Sequence, residues 1–106
     1  MPSRTQRLVI VGAGALGREI VDLIEAINLR SQATDRPVFE VLGFLDDTDP
    51  DESLIRTYGL WVIGTSDSLA GLPDDVGYVV AIGDSRARRT IDQRLALQNR
   101  DCPVLV

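Results

Sequence analysis

The feature that most constrains the fold is a short apolar run followed at once by three closely spaced glycines. Residues 8–11 read Leu-Val-Ile-Val, which is typical of a strand buried on both faces. Gly12, Gly14 and Gly17 follow in Gly-x-Gly-x-x-Gly spacing, and apolar residues then recur at helical intervals over 16–27. Strand, tight turn and helix in this order predict a β–α junction whose free helix amides face a phosphate-containing ligand.

Each glycine has a separate role in such a turn. Gly12 permits the tight turn, Gly14 lets a ligand approach the backbone, and Gly17 lets the helix pack close to the strand. Ala15 and Leu16 lie between them and complete the predicted ligand-binding turn. A turn that is purely structural and binds nothing is the alternative interpretation.

The amino-acid composition argues against several classes of function. The 106 residues suffice for one domain, and the net charge is −5. All basic residues are arginine, and no basic stretch is longer than Arg88-Arg89, which disfavours nucleic-acid binding. With Cys102 as the single cysteine, the chain has neither an internal disulfide nor a multi-cysteine metal site. We find no signal peptide or membrane-length apolar stretch, so we expect a cytoplasmic protein.

Strand and helix signals alternate along the chain. This alternation predicts a single small α/β domain: a Rossmann-like parallel sheet with helices on both faces and strand order 3-2-1-4-5. We place a loop over 30–37 and an inner face of the last helix at Ala87, Ile91, Leu95 and Gln98. The predicted strands are 7–12, 39–45, 58–64, 78–82 and one beginning at 102, and the predicted helical segments are 15–29, 66–70 and 85–99.

An acidic segment follows the second predicted strand. Asp46 and Asp47 stand where the strand ends, and they suit hydrogen bonds from ribose hydroxyls or a base N–H, although strand-end loop acids are the alternative. Asp49, Asp51 and Glu52 are interpreted as solvated loop acids. A calcium loop is disfavoured, because Glu52 stands where that loop needs glycine and position 58 lacks the bidentate glutamate.

A third group of polar residues follows the fourth predicted strand. Gly83 and Asp84 end that strand, and either Asp84 or Ser85 caps the last helix. Arg88 lies in the first turns of this helix, where the dipole disfavours a cation. A bound phosphate or carboxylate would remove that conflict, whereas a solvated arginine is the alternative. Parallel strands end at one edge of a sheet, so all three groups are expected to converge there.

No catalytic group is evident. The chain has no histidine, so Ser66 and Ser85 lack the commonest general base, and no nucleophile–base pair is visible. We therefore predict no catalytic and no metal-ligating residues. The sequence is typical of a binding domain whose catalytic machinery lies elsewhere.

These residues resemble a known family, the N-terminal domain of PglD/NeuD-type bacterial nucleotide-sugar acyltransferases. Residues 8–19 resemble the family's opening strand, glycine turn and helix start, and Gly-Phe-Leu-Asp-Asp at 43–47 resembles its signature of the same letters. Val-Ile-Gly at 62–64 and Val-Ala-Ile-Gly-Asp at 80–84, with Arg88 downstream, resemble two further motifs. Four motifs in order are more specific than any one of them.

The resemblance implies a function for residues 1–106. The family's first domain binds the UDP part of a UDP-amino sugar or a related nucleotide sugar, here in sialic-acid or bacillosamine pathways. A left-handed β-helix of hexapeptide repeats follows it, forms homotrimers, binds acetyl-CoA and carries the catalytic histidine. We therefore expect a truncated chain that holds substrate, binds no cofactor itself and lacks acyl-transfer residues. Leu16 replaces a histidine of many members, which puts any contact of that side chain in question.

Two other functions remain open at this stage. One is an NAD(P)-binding domain of a dehydrogenase or nucleotide-sensing regulator, which uses the same turn and an acid about 20 residues beyond it. Asp46 lies 29 residues beyond Gly17, and the predicted 30–37 loop could absorb the difference. The other is an interaction module that binds no small ligand.

Overall fold

The computed structural model describes residues 5–34, 38–103 and 105, which form a parallel sheet with helices on both of its faces. This confirms the predicted α/β, Rossmann-like fold class. The strands are β1 (Thr5–Val11), β2 (Val38–Leu45), β3 (Val62–Gly64) and β4 (Gly77–Val80). The helices are α1 (Ala15–Thr34), α2 (Ser85–Ala96) and two 3-10 helices, Ile55–Tyr58 and Ser66–Gly71.

The strand order in the sheet is β3-β2-β1-β4, with every neighbouring pair parallel. The order agrees with the prediction for the first four strands. The predicted fifth strand falls partly outside the described residues, because Val104 and Val106 are not among them, and Cys102, Pro103 and Leu105 belong to no strand. The segment still touches the sheet edge, since the Tyr78 amide donates to the Asp101 carbonyl at 3.0 Å.

Strand β1 separates two apolar cores, which explains its continuous β-branched and apolar sequence. Leu8 and Ile10 face the core beneath α1, whereas Val9 and Val11 face the core shared with α2 and the second 3-10 helix. All four side chains are buried. A central strand between two helical layers has no polar face, so the apolar run predicted this position correctly.

Helix α1 is longer than predicted, and the expected 30–37 loop is wrong over 30–34; residues 35–37 lie outside the described part. Polar residues there suggested a loop, but neither glycine nor proline interrupts 30–34. Two contacts favour the longer helix. The Ser31 hydroxyl donates to the Ile27 carbonyl at 2.9 Å, and the Asn28 side chain pairs with both the N–H and the C=O of Phe39 at 2.8 Å.

Other boundaries also differ from the predictions; the predicted strands 7–12 and 78–82, for example, are Thr5–Val11 and Gly77–Val80. The third strand begins at Val62 rather than at 58, because Tyr58 belongs to a 3-10 helix that Gly59 closes in the left-handed conformation. Helix α2 ends at Ala96 rather than 99. Its predicted inner face is correct at Leu95, which is buried, and wrong at Ala87, which is exposed.

Candidate functional site

The turn between β1 and α1 is closed tightly around two of its glycines. Gly12 has φ +114°, and a Cβ there would overlap the carbonyl oxygen of Ala81 at the end of β4. A Cβ on Gly17 would overlap the Gly12 carbonyl oxygen and lie 2.9 Å from the Phe44 ring. Both positions therefore need glycine: Gly12 for its backbone conformation and its close approach to Ala81, and Gly17 for the close approach of α1 to the turn and to Phe44.

The first turn of α1 presents unpaired backbone amides. The earliest helical bond runs from the Arg18 N–H to the Gly14 carbonyl at 3.2 Å, so the amides of Ala15, Leu16 and Gly17 have no helical acceptor. No described side chain accepts a hydrogen bond from them, and the first turn contains no acidic residue. These amides carry the positive end of a 20-residue helix.

A cavity of about 330 Å³ opens beside this turn, at the carboxyl ends of β1, β2 and β4. We call it the β1–α1 cavity. It brings together five of the predicted site residues: Gly12, Gly14, Asp46, Asp47 and Gly83. A Cβ on Gly14 would meet nothing within 4 Å, so the turn is open on that side. The cavity is lined by Val11, Gly12, Gly14, Leu45, Asp46, Asp47, Thr48, Ala81, Ile82, Gly83 and Ala87.

Asp46 is held against the glycine turn. Its Oδ2 accepts from the Ala13 amide at 2.8 Å, and its Oδ1 accepts from the Thr48 amide at 2.7 Å and from the Thr48 hydroxyl at 2.5 Å. Burial raises the pKa of this carboxyl, but the hydrogen bonds from Thr48 and Ala13 outweigh burial and hold the pKa below its usual value. Asp46 therefore fixes the turn as a carboxylate.

Asp47 points away from that turn and towards the second 3-10 helix. Its Oδ1 accepts from the Ser66 amide and its Oδ2 from the Ser66 hydroxyl, both at 2.7 Å. Arg94 of α2 lies beside the same carboxylate, with an N–O distance of 3.6 Å, and donates to the Ser66 hydroxyl. The two neighbouring acids thus belong to different hydrogen-bond networks.

The other five predicted site residues are not part of this lining: Ala15, Leu16, Gly17, Asp84 and Arg88. Leu16 and Arg88 line a separate groove between α1, β4 and the end of the chain, and Arg88 pairs with Asp92 one helical turn later at 3.6 Å. Asp84 is exposed and caps α2, because its Oδ1 accepts from the Ala87 amide at 2.8 Å. Ala15 contributes its amide at the start of α1.

The loop acids after Asp47 have local roles. Asp51 accepts from the Ser53 amide at 2.9 Å and is exposed, as expected for a loop acid. Glu52 differs from the expectation, because it is half-buried and its Oε1 accepts at 3.0 Å from the amide of Val62, the first residue of β3. No group of three or more metal-ligating side chains occurs within the described ranges.

Sequence reasoning missed three residues near the cavity: Thr48, Ser66 and Arg94. Thr48 follows an aspartate by two positions, which is a recognisable turn signal that would have predicted its bond to Asp46. Ser66 and Arg94 carry no local signal, because they lie 19 and 47 residues from Asp47 and meet it only through the fold.

The fold and site define a class of protein. A glycine turn leads into uncapped helix amides at the carboxyl edge of a parallel sheet, and an acid follows the neighbouring strand, which is the arrangement of a Rossmann-like domain. None of the described helices is both long enough and apolar enough to cross a membrane.

Comparison with known proteins identifies the family within this class. The family described as the PglD N-terminal domain matches residues 7–95, and the chain belongs to that family. Two solved structures of the acetyltransferase domain of PglB from Neisseria gonorrhoeae FA1090 are similar, both at 30% sequence identity. The structure in complex with acetyl coenzyme A has a TM-score of 0.69, and 95% of this chain is covered.

The second of these structures has a TM-score of 0.68 and covers 94% of this chain. The chain spans 43% of the length of either structure. A comparison with curated protein sequences gives no significant match. These relatives give no support to the dehydrogenase alternative.

Proposed function

We propose that this chain is the nucleotide-sugar-binding domain of a sugar acetyltransferase. A UDP-amino sugar or related nucleotide sugar would lie in the β1–α1 cavity, with its diphosphate on α1 and its nucleoside near the acids at the end of β2. The observation that carries the proposal is the uncapped first turn of α1, which directly follows two residues that line this cavity, Gly12 and Gly14.

The helix amides suit the diphosphate. Three consecutive N–H groups, those of Ala15, Leu16 and Gly17, lack acceptors, and a phosphate can accept several such bonds at once. Gly14 leaves open space at the same place, so ligand oxygens can approach the backbone. The Ala13 amide is already taken by Asp46, so we assign the diphosphate to the amides that follow it.

The acids suit an uncharged nucleoside. Asp46 and Asp47 line the cavity and none of the described basic side chains does, so hydroxyl and N–H donors are favoured over a second anionic group in their vicinity. Each carboxylate oxygen can accept more than one hydrogen bond, so both acids can contact ligand while keeping their protein partners. We assign no phosphate contact to Arg88, because it lies in the other groove.

The transferase half of the proposal rests on the solved relatives. Their names describe an acetyltransferase domain, in one case with acetyl coenzyme A, and the chain covers less than half of either. We propose that acetyl-CoA, the catalytic residues and the trimer contacts belong to a region outside these 106 residues. We further propose a cytoplasmic enzyme, which fits a chain with one exposed thiol and no disulfide.

Calorimetric titration tests the binding proposal. UDP and UDP-N-acetylglucosamine should bind saturably, whereas NAD and NADP should not. Gly14→Val should abolish UDP binding while the chain stays folded, because the new side chain fills open space that the ligand would need. Gly71→Val is the matched control, since a Cβ there also meets nothing within 4 Å.

Two results would overturn the proposal. Tight binding of NAD without a response to UDP would favour the dinucleotide-binding alternative. No response to any of these nucleotides, with partner binding unaffected by Gly14→Val, would favour the interaction module.

A further inference from the structure

A charged and hydrogen-bonded chain connects α2 to the β1–α1 cavity. Arg94 donates to the Ser66 hydroxyl, and that hydroxyl donates to Asp47 Oδ2 at 2.7 Å. The Ser66 amide holds the other carboxylate oxygen at 2.7 Å. Three segments distant in sequence thus meet at one carboxylate that lines the cavity.

We propose that Ser66 and Arg94 are positioning residues for ligand binding, which hold the Asp47 carboxylate in the orientation that accepts a hydrogen bond from the nucleoside. This inference rests on the proposed function, because it needs a nucleotide in the cavity. Ser66 and Arg94 do not themselves line the cavity, so they act through Asp47.

Burial explains why the serine suits this role. Ser66 is only 1% exposed, and its hydroxyl is fully engaged, accepting from Arg94 and donating to Asp47. A buried hydroxyl with fixed partners has one orientation, so it fixes the carboxylate that it contacts. The Asp47 side chain is itself 44% exposed and would otherwise rotate between several positions.

The local charge explains why an arginine suits position 94. Asp46 and Asp47 line a cavity that is proposed to receive a diphosphate, so their negative charge opposes binding. Arg94 lies 3.6 Å from Asp47 and 3.9 Å from Asp67, and offsets part of this charge without entering the cavity. It also lies in the last turn of α2, where the helix dipole favours a cation.

A double-mutant cycle tests whether Arg94 acts through Asp47. The probe is UDP, and the variants are Asp47→Asn, Arg94→Met, Ser66→Ala and the double variant Asp47→Asn/Arg94→Met. Asp47→Asn should weaken UDP about tenfold, and Arg94→Met and Ser66→Ala each about three- to tenfold. In the Asp47→Asn background, Arg94→Met should change affinity less than about twofold, since its target is gone.

Two further variants separate positioning from charge and folding. Arg94→Lys keeps the charge and part of the hydrogen bonding, so it should recover part of the affinity. Arg56→Met removes an exposed arginine from the first 3-10 helix and should leave UDP affinity unchanged. Circular dichroism of each variant shows whether a loss of binding reflects unfolding; Arg94→Lys keeps the test usable if Arg94→Met unfolds.

The outcomes distinguish this inference from the proposed function. If the unmodified chain binds neither UDP nor a UDP sugar, the proposed function fails and the positioning role fails with it. If UDP binds and Asp47→Asn weakens it, but Arg94→Met has no effect, only the positioning role is wrong. Fully additive effects of Asp47→Asn and Arg94→Met would also overturn it.

Discussion

The molecule has two strand-to-helix junctions at the same edge of the sheet, and they differ in how the helix begins. At the β1–α1 junction, no described side chain caps the first turn of α1, and Gly12 and Gly14 just before that turn line a cavity. At the β4–α2 junction, Asp84 caps α2 through the Ala87 amide at 2.8 Å. Both junctions contain glycine, yet a described side chain caps the helix only at the second.

The junctions also differ in packing. A Cβ on Gly12 or Gly17 would overlap backbone oxygens, whereas a Cβ on Gly83 would meet nothing within 4 Å. The β1–α1 turn is thus tightly packed between the end of β4 and α1, whereas the β4–α2 turn is loosely packed at Gly83. A rigid, uncapped turn is suited to hold an anion in one geometry, because little ordering remains when the ligand binds.

Among the substitutions that test this comparison, Gly17→Ala should cause a large loss of stability. The added methyl group overlaps the Gly12 carbonyl and the Phe44 ring, so α1 must move away from β1 and the core beneath it. We expect a loss of about 3 kcal/mol or more in the free energy of unfolding, measured by urea titration. Gly14→Ala, in the same turn, meets nothing within 4 Å and should cost under about 1 kcal/mol. Equal losses at both positions would contradict the account of tight packing.

Asp46→Ala should produce the next largest effect. The substitution removes three hydrogen bonds and leaves the Ala13 amide without its partner, so we expect a loss of about 1–3 kcal/mol at pH 7. Asp49→Ala, in the same acidic segment but exposed, is the control and should be close to neutral. A neutral Asp46→Ala would mean that the turn does not depend on the carboxylate.

The Asp46 contribution should also depend on pH. Hydrogen bonds hold its pKa in the folded protein below the unfolded value of about 4, despite the opposing effect of burial. Its stabilisation is therefore complete above that value and is lost as the pH falls through the folded pKa. The difference in unfolding free energy between the unmodified chain and Asp46→Ala should be largest near pH 7 and shrink below pH about 4. A difference that grows on acidification would contradict this assignment.

The sequence was a reliable guide where local pattern and burial agree. The apolar run at 8–11 lies between two helical layers, and the 12–17 turn has the glycines that its packing requires, so both were predictable. The extension of α1 to Thr34 was not, because the contact of Asn28 with Phe39 that favours it forms only when the helix docks on β2. Polar composition alone suggested a loop.

The candidate site was predictable to a similar degree. Gly12, Gly14, Asp46, Asp47 and Gly83 line one cavity, because parallel strands end at one edge. The direction of a side chain could not be predicted in the same way. Arg88 lies near the start of α2 in the sequence, but it lines the other groove, whereas Arg94, two turns later, reaches Asp47.

Asp84→Ala should have a smaller effect, confined to the β4–α2 junction. Loss of an N-cap carboxylate costs about 1 kcal/mol, and the exposed site lets water replace part of the bond. Urea unfolding measures this loss, and UDP titration should show little change in affinity, because the proposed diphosphate contacts are on α1. A drop in UDP affinity as large as that of Gly14→Val would mean that the diphosphate binds at the β4–α2 junction, which would contradict our proposal.

Gly83→Ala should have the smallest effect, and it is the sharpest comparison with Gly12→Ala. Both glycines follow a strand and precede a helix, but only Gly12 has a positive φ and backbone oxygen where the methyl group would lie. We expect Gly83→Ala to change the unfolding free energy by less than about 0.5 kcal/mol. Any change should be a slight increase, because alanine reduces the conformational entropy of the unfolded chain. Gly12→Ala should be severely destabilised. If the two variants unfolded at the same urea concentration, the contrast between a tightly packed and a loosely packed junction would be wrong.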